Sequence, residues 1–197
     1  MDRPNKNVAR GEATRGQLIA VARRMFADRG YEDTSIEAVL REAGVSRGSL
    51  YHHFASKEAL FEAVAEDVET TVGEQTIAAT AGTDGPVAAL RAASLAWVRL
   101  AGDPVVQRIL LIDGPSVLGW ERWRAMEERH ALGAIRMVVQ AAAPQAHLRP
   151  ELADTLAHVL LASVNEVALL VARSDDPQAA MEAGEEAVDE LLRRLLG

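Results

Sequence analysis

No cysteine occurs among the 197 residues, which excludes disulfides, thiol catalysis and cysteine-ligated zinc. No stretch reaches the ~20 uninterrupted apolar residues of a membrane span. The opening, MDRPNKNVARGEATR, lacks the apolar core of a secretory signal, so a soluble, cytoplasmic protein is expected. Strand-like alternation and internal repeats are missing, as are G-x-S-x-G and phosphate-cradling glycine loops. Aromatics make up only 4%. All Phe and Tyr lie at or before Phe61, leaving Trp97, Trp120 and Trp123 for the rest of the chain. These absences leave an all-α protein, with neither a catalytic residue nor a cofactor or metal assigned.

What is present is concentrated in TSIEAVLREAGVSRGSLYHHFASKEALF, residues 34–61. Thr34 with Glu37 three residues later reads as a capping box at a helix start. Ile36, Val39, Leu40 and Ala43 then recur at helical spacing and predict one buried face. Gly44 stops the helix, because glycine takes the left-handed conformation cheaply. Val45 can plug the corner. Ser46 reads as the N-cap of a second short helix to about Phe54, with Leu50 and Phe54 turned inward. Two short helices joined by a glycine turn, the second polar and basic outside, are the sequence form of a helix-turn-helix.

The residues left outside have the chemistry of a DNA-reading helix. Arg47 can donate two hydrogen bonds to a guanine edge, and Gly48 removes bulk so that backbone can approach the groove. Ser49 can meet a base or a phosphate. Tyr51 and His52 suit phosphate oxygens, which fix register without reading sequence. Lys57 follows Ser56, the expected cap of the next helix, and is placed for another phosphate. Thr34, Ser35, Ser46, Arg47, Gly48, Ser49, Tyr51, His52 and Lys57 are the candidate DNA-binding residues.

From Thr14 to Phe61 the chain resembles the DNA-binding domain of the tetracycline-repressor (TetR) family of bacterial regulators. The resemblance is carried by Thr14, Leu18, Ala22, Phe26, Gly30 and Thr34-Ser35, then by Ala43-Gly44-Val45-Ser46. It continues through Gly48-Ser49-Leu50-Tyr51-His52-His53-Phe54 and Ser56-Lys57-Glu58 to Leu60. It covers a quarter to a third of the chain. Such a resemblance implies a homodimer whose larger helical C-terminal domain binds a small molecule and dimerises, released from a palindromic DNA operator by that molecule.

The charge divides accordingly. The chain is at −8 overall, yet residues 1–57 hold ten Lys/Arg against seven Asp/Glu, while 58–197 hold eleven against twenty-two. Phosphate affinity depends on local charge and counterion release, so a basic end on an acidic body suits DNA bound one way round. The expected organisation is a DNA-binding domain over 1–57, with a disordered arm over 1–9, and a ligand-binding and dimerisation domain over 58–197.

Breakers and apolar spacing predict about nine helices. The first runs over 11–29, and a long one from Lys57 to about Ala81 leads out of the DNA-binding end. Further helices are expected over 86–101, 105–112, 118–142, 150–173 and 177–196, with a break at Asp113-Gly114-Pro115. The last two form the expected dimer interface: Leu152, Leu156, Val159, Ser163 and Val167 line one strip, and Ala180, Ala187, Leu191 and Leu195 another. An apolar cavity between helices can be lined by Trp97, Leu100, Ile109, Trp120, Trp123 and Met126, with His130, His158, Asn165 and Glu166 as orienting polar groups. The scarcity of cationic groups in the apolar stretches favours a neutral or cationic effector over a polyanion. Two alternatives stand beside the repressor: a ligand-independent DNA-binding activator, and a helical di-metal carboxylate enzyme suggested by the E-x-x-H pair Glu127/His130. The enzyme needs a second such pair, which the sequence lacks.

Overall fold

The computed structural model describes residues 6–144 and 146–196, with side chains from Arg10 onward. All regular structure among these residues is helical, in nine helices once continuous turns are joined. The helix-turn-helix end comprises α1 (Lys6–Arg29), α2 (Ile36–Ala43) and α3 (Arg47–His53). Then come α4 (Lys57–Ala78), α5 (Gly85–Leu100), α6 (104–118), α7 (120–142), α8 (Pro150–Ala172) and α9 (Pro177–Leu196).

Several boundaries differ from the sequence reading. Helix α1 begins at Lys6, so residues 6–9 of the expected arm are helical, while 1–5 lie outside the described residues. Helix α4 ends at Ala78. The expected break at Asp113-Gly114-Pro115 is helical, and the chain turns instead at Gly119. The reason is a wider winding: Gln107–Asp113 forms a π-helix ahead of the proline. Pro115 has no N–H to offer, and the carbonyl five residues before it, on Leu110, accepts from the Trp123 indole at 2.8 Å. A proline inside a helix is tolerated when the acceptor it orphans finds another donor.

Packing joins both ends into one hydrophobic cluster. Leu18, Ala22 and Phe26 of α1 meet Leu60, Phe61 and Val64 of α4, with the Phe26 and Phe61 rings edge to face at 5.2 Å. Such a pair adds ~0.5–1.5 kcal/mol beyond its burial. Helix α8 carries a window of mean hydropathy 1.7. That apolar character serves the bundle: Ala157, Leu160, Leu161, Val164 and Ala168 are buried against α5, α7 and α9.

Two junctions tie α4 and the first three helices to the rest. At the first, buried Asp113 of α6 accepts from the Tyr31 backbone N–H at 2.7 Å and from Arg108 Nε at 3.2 Å. Gly30, at φ 81°, makes room for this: a Cβ there would meet Arg108 Nη2 at 1.8 Å. At the second, α4 and α7 are bridged by Arg122 to Glu58, by Arg129 to Glu66, and by His130 Nε2 to Glu66 Oε2 at 3.1 Å.

Candidate nucleic-acid interface and effector cavity

The helix-turn-helix is built from three serine caps and one glycine. Ser35 Oγ accepts from the Ala38 N–H at 3.2 Å, Ser46 Oγ from Ser49 N–H at 3.2 Å and Ser56 Oγ from Ala59 N–H at 3.0 Å. Each satisfies a backbone donor that a helix start leaves orphaned. Gly44 ends α2 at φ 65°, and its N–H returns to the Leu40 carbonyl. Gln17 Nε2 donates to the Ala43 carbonyl at 2.8 Å, clipping α1 to the end of α2. Leu50 and Phe54 are buried beneath α3 as their spacing requires.

One expected DNA contact is corrected. Thr34 is 1% exposed, and its hydroxyl donates to the carbonyls of Gly30 at 2.8 Å and Met25 at 3.1 Å. It therefore locks the α1–α2 loop, and the N-cap of α2 is Ser35 rather than the Thr34 of a capping box. The Thr34 hydroxyl lies on the α1 side of the loop with its proton directed at two inner carbonyls, and the Ser35 hydroxyl accepts from the α2 N–H instead.

Around the exposed face of α3, Arg47, Gly48, Tyr51 and His52 are open to solvent and Ser49 is half-buried. Space beside Gly48 is empty within 4 Å. Arg47 rests against Glu37 at 3.1 Å, its guanidinium 5.7 Å from the Tyr51 ring centre. Lys57 Nζ donates to the Glu32 carbonyl at 3.3 Å and lies 4.1 Å from the centre of the Tyr31 ring. Both cations sit on the outer surface in weak, exposed partnerships that a phosphate or a base can replace.

The second site is a cavity of about 260 Å³ between α4, α5, α7 and α8. Its apolar wall includes Val72, Leu90, Ile135, Leu161 and Val164, with Trp97 on one side. Ile77, which also lines it, is 71% exposed. Four polar groups converge inside: Glu69 from α4, Ser94 from α5, Glu127 from α7 and Asn165 from α8, with His130 at the rim. The Trp97 indole donates to Asn165 Oδ1 at 3.0 Å, which fixes the ring. Burial pushes the Glu69 carboxyl up to about 7, with Glu66 adding and His130 opposing. Burial, then the neighbouring Glu69, pushes Glu127 up to about 8. The winding changes to π-helix immediately after Glu127, over Glu128–Leu132. Such widened turns cluster at functional sites.

Of the ten residues expected to line a ligand pocket, the fold brings Trp97, His130 and Asn165 together. Trp123, Met126 and Ile109 are plain core, with the Trp123 indole holding the Leu110 carbonyl. Leu100 is half-buried away from the cavity, and Trp120 is 62% exposed. Glu166, one step from Asn165, points outward because successive helical residues diverge around the axis. His158 faces Glu128 at 3.6 Å on the surface. The sequence reading missed Glu69 altogether and weighed Glu127 only as a metal ligand. The available signal was a carboxylate on an apolar stripe. Glu69 lies among Ala65, Val68 and Val72, and Glu127 four residues after Trp123.

Comparison with known proteins agrees at both ends. The family described as "Bacterial regulatory proteins, tetR family" matches residues 18–64, and "Tetracyclin repressor-like, C-terminal domain" matches 87–195. The transcriptional repressor KstR2 of Mycolicibacterium smegmatis is 42% identical over 66 residues, 34% of this chain and 30% of that protein. The A-factor receptor protein of Streptomyces griseus is 42% identical over 64 residues, 32% and 23% of the two chains. The matched segment thus spans less than a third of either curated relative. A solved TetR-family regulator from Pectobacterium atrosepticum aligns over 95% of this chain and 96% of its own, with TM-score 0.81 and 31% identity. The RolR complex with the ligand resorcinol shares the fold, with TM-score 0.69 at 21% identity over 95% of both chains. With the family pattern covering most of the acidic body as well as the helix-turn-helix, the chain belongs to the TetR family of transcriptional regulators.

Proposed function

We propose that this regulator is a homodimeric repressor of a palindromic operator, released by a small molecule entering the α4/α5/α7/α8 cavity. The observation that carries the reading is the position of α4. It starts three residues beyond Phe54, the last buried anchor of the recognition helix, and it supplies Glu69, Val72, Gly73 and Thr76 to the cavity wall. A molecule that prefers a displaced α4 shifts the recognition helices by its differential affinity, typically worth ~1–3 kcal/mol. The Asp113–Tyr31 junction gives α6 a second grip on the same end.

In this reading Arg47 and Ser49 meet base edges, with Gly48 admitting the backbone, and Ser35, Ser46, Tyr51, His52 and Lys57 face phosphates. The functional boundary falls at residues 57/58. Dimerisation through α8 and α9 is supported by Val159 and Leu170, which are 48% and 62% exposed on one outer strip of α8. Val167, by contrast, packs within the chain: a Cβ added to Gly184 would come within 2.8 Å of it. Two headpieces are needed because one helix-turn-helix contacts few base pairs, and paired half-sites recur ~34–36 Å apart. As a regulator of the chromosome the protein acts in the cytoplasm, without catalysis.

The test is selection of bound fragments from genomic DNA by the purified full chain, followed by a ligand screen on the recovered fragment. A palindromic fragment that is released by a small molecule fits the proposal. Retention of no fragment above random competitor at moderate salt, or a monomer under all conditions, overturns it.

A further inference from the structure

The cavity between α4, α5, α7 and α8 is lined mostly by apolar side chains, and its few polar groups are uneven in charge. Its walls present two carboxylates, Glu69 and Glu127, which are 6% and 5% exposed. Glu127 Oε2 and Asn165 Nδ2 are buried without a hydrogen-bond partner. The two groups lie beside each other, yet buried polar atoms are almost always well paired, and a poorly satisfied carboxylate oxygen on a cavity wall marks a place where another partner fits. Among the described residues no arginine or lysine lines the space. The nearby cations are engaged elsewhere: Arg129 pairs with Glu66 and Arg124 with Glu128 at 3.1 Å. His130 at the rim is likewise held by Glu66. What remains is an apolar chamber with an anchored indole and unanswered carboxylate oxygen.

We propose that the cavity takes an organic cation with an apolar body, a protonated amine or quaternary ammonium, its charge between Glu69 and Glu127 and its body against Trp97 and the aliphatic wall. The indole face is the strongest of the natural cation–π partners, and the effect grows when the charge is desolvated. A carboxylate that is costly to ionise alone becomes favourable once an opposite charge shares the space. The Asn165 amide lies beside the Glu127 carboxyl, where hydrogen bonding favours the charged form that a bound cation requires. Polyanions and carboxylic acids find no lysine or arginine partner among the described lining residues, which gives the site its selectivity. This inference deepens the regulator reading and rests on it for the release of DNA, but not for binding itself.

Proton linkage follows from the surroundings. Glu69 faces His130, Glu66 and Arg129, and Glu127 faces Glu69, Arg124 and Glu128, while α5 and α8 contribute only the uncharged Ser94, Trp97 and Asn165. The carboxyls hold protons near neutrality, so a bound cation displaces them. Affinity therefore rises with pH between about 6 and 8, and the heat of binding depends on the ionisation enthalpy of the buffer.

The test uses trimethylammonium ions with benzyl, hexyl and hydroxyethyl tails, each paired with the tert-butyl compound in which carbon replaces nitrogen. Binding to the full-length protein is read by calorimetry and tryptophan quenching, without DNA. At least one ion should bind about tenfold or more tighter than its carbon twin, the factor carried by one pKa unit of charge coupling. Glu69→Gln and Glu127→Gln should each reduce that preference, and the double variant should abolish it. Gln copies the protonated carboxyl, and circular dichroism checks that each variant is folded. Equal binding of the carbon twins overturns the proposal. So does a preference that survives in the double variant, or failure of every ion to bind below ~1 mM. A separate measurement with the selected operator distinguishes the two readings. Ions that bind a protein retaining no DNA sink the regulator reading alone, and operator binding without any ion binding sinks this one alone.

Discussion

Replacing Glu127 with Gln should stabilise the fold at neutral and alkaline pH and leave it nearly unaltered in acid. In the folded chain this carboxyl is pushed up to about 8 from 4.5, first by burial and then by Glu69. Between those limits the native protein keeps a proton that the unfolded chain has released. The folded state binds more protons, so raising the pH lowers stability, by about 1.4 kcal/mol per pH unit for one group inside the window. Gln has nearly the same shape and does not titrate. The variant's advantage should therefore widen by about 2 kcal/mol between roughly pH 5.5 and pH 7, and level off above about pH 8. The repulsion from Glu69 is already part of that shift, and the variant removes it together with the buried charge. The assay is urea unfolding of both proteins across that range, followed by circular dichroism at one fixed protein concentration, since an oligomer's stability depends on concentration. An advantage that stays flat or shrinks as the pH rises would refute the reasoning, because it would mean the carboxyl is ionised and well solvated inside the fold.

Four other outcomes are expected. Arg47→Ala should cost roughly 1–3 kcal/mol of operator affinity and relax preference at one base pair per half-site, whereas Lys57→Ala should weaken all sequences alike and flatten the salt dependence; anisotropy titrations at several salt concentrations separate the two, and exchanged results reverse the roles. Gly30→Ala should destabilise by at least ~1–2 kcal/mol through its left-handed backbone alone, and the added Cβ must also displace the Arg108 guanidinium; thermal unfolding indistinguishable from the parent would contradict the packing described. Asp113→Asn should cost ~1.5–3 kcal/mol in stability, since it weakens a charged acceptor holding the Tyr31 N–H and Arg108, and the loss is read by denaturant midpoint. Val159→Glu with Leu170→Glu should shift the protein toward monomer in sedimentation and weaken operator binding; an unshifted dimer would place the interface elsewhere.

The DNA-binding end was legible because its signals are local. Ser46, Ser56 and Gly44 act within four residues of their own positions, so spacing alone placed two caps and the turn. Even there one long-range fact escaped: Thr34 and Ser35 are both capable caps, and only the carbonyls of Met25 and Gly30 decide which hydroxyl turns inward. The cavity was far less legible. Glu69 and Glu127 are 58 positions apart, and an isolated glutamate in a helix is ordinarily a solvated surface group. Trp120 and Trp123 looked alike in sequence, yet one is exposed and the other is buried with its N–H spent on Leu110.

Composition, caps and apolar periodicity were thus sufficient to fix an all-helical chain with a DNA-reading headpiece, because these depend on neighbours one helical turn apart. Tertiary structure alone decided where α4, α5, α7 and α8 leave a space and which polar atoms face it. The reason is that helical periodicity tells which residues share a stripe, but the rotation and crossing of packed helices decide what each stripe meets.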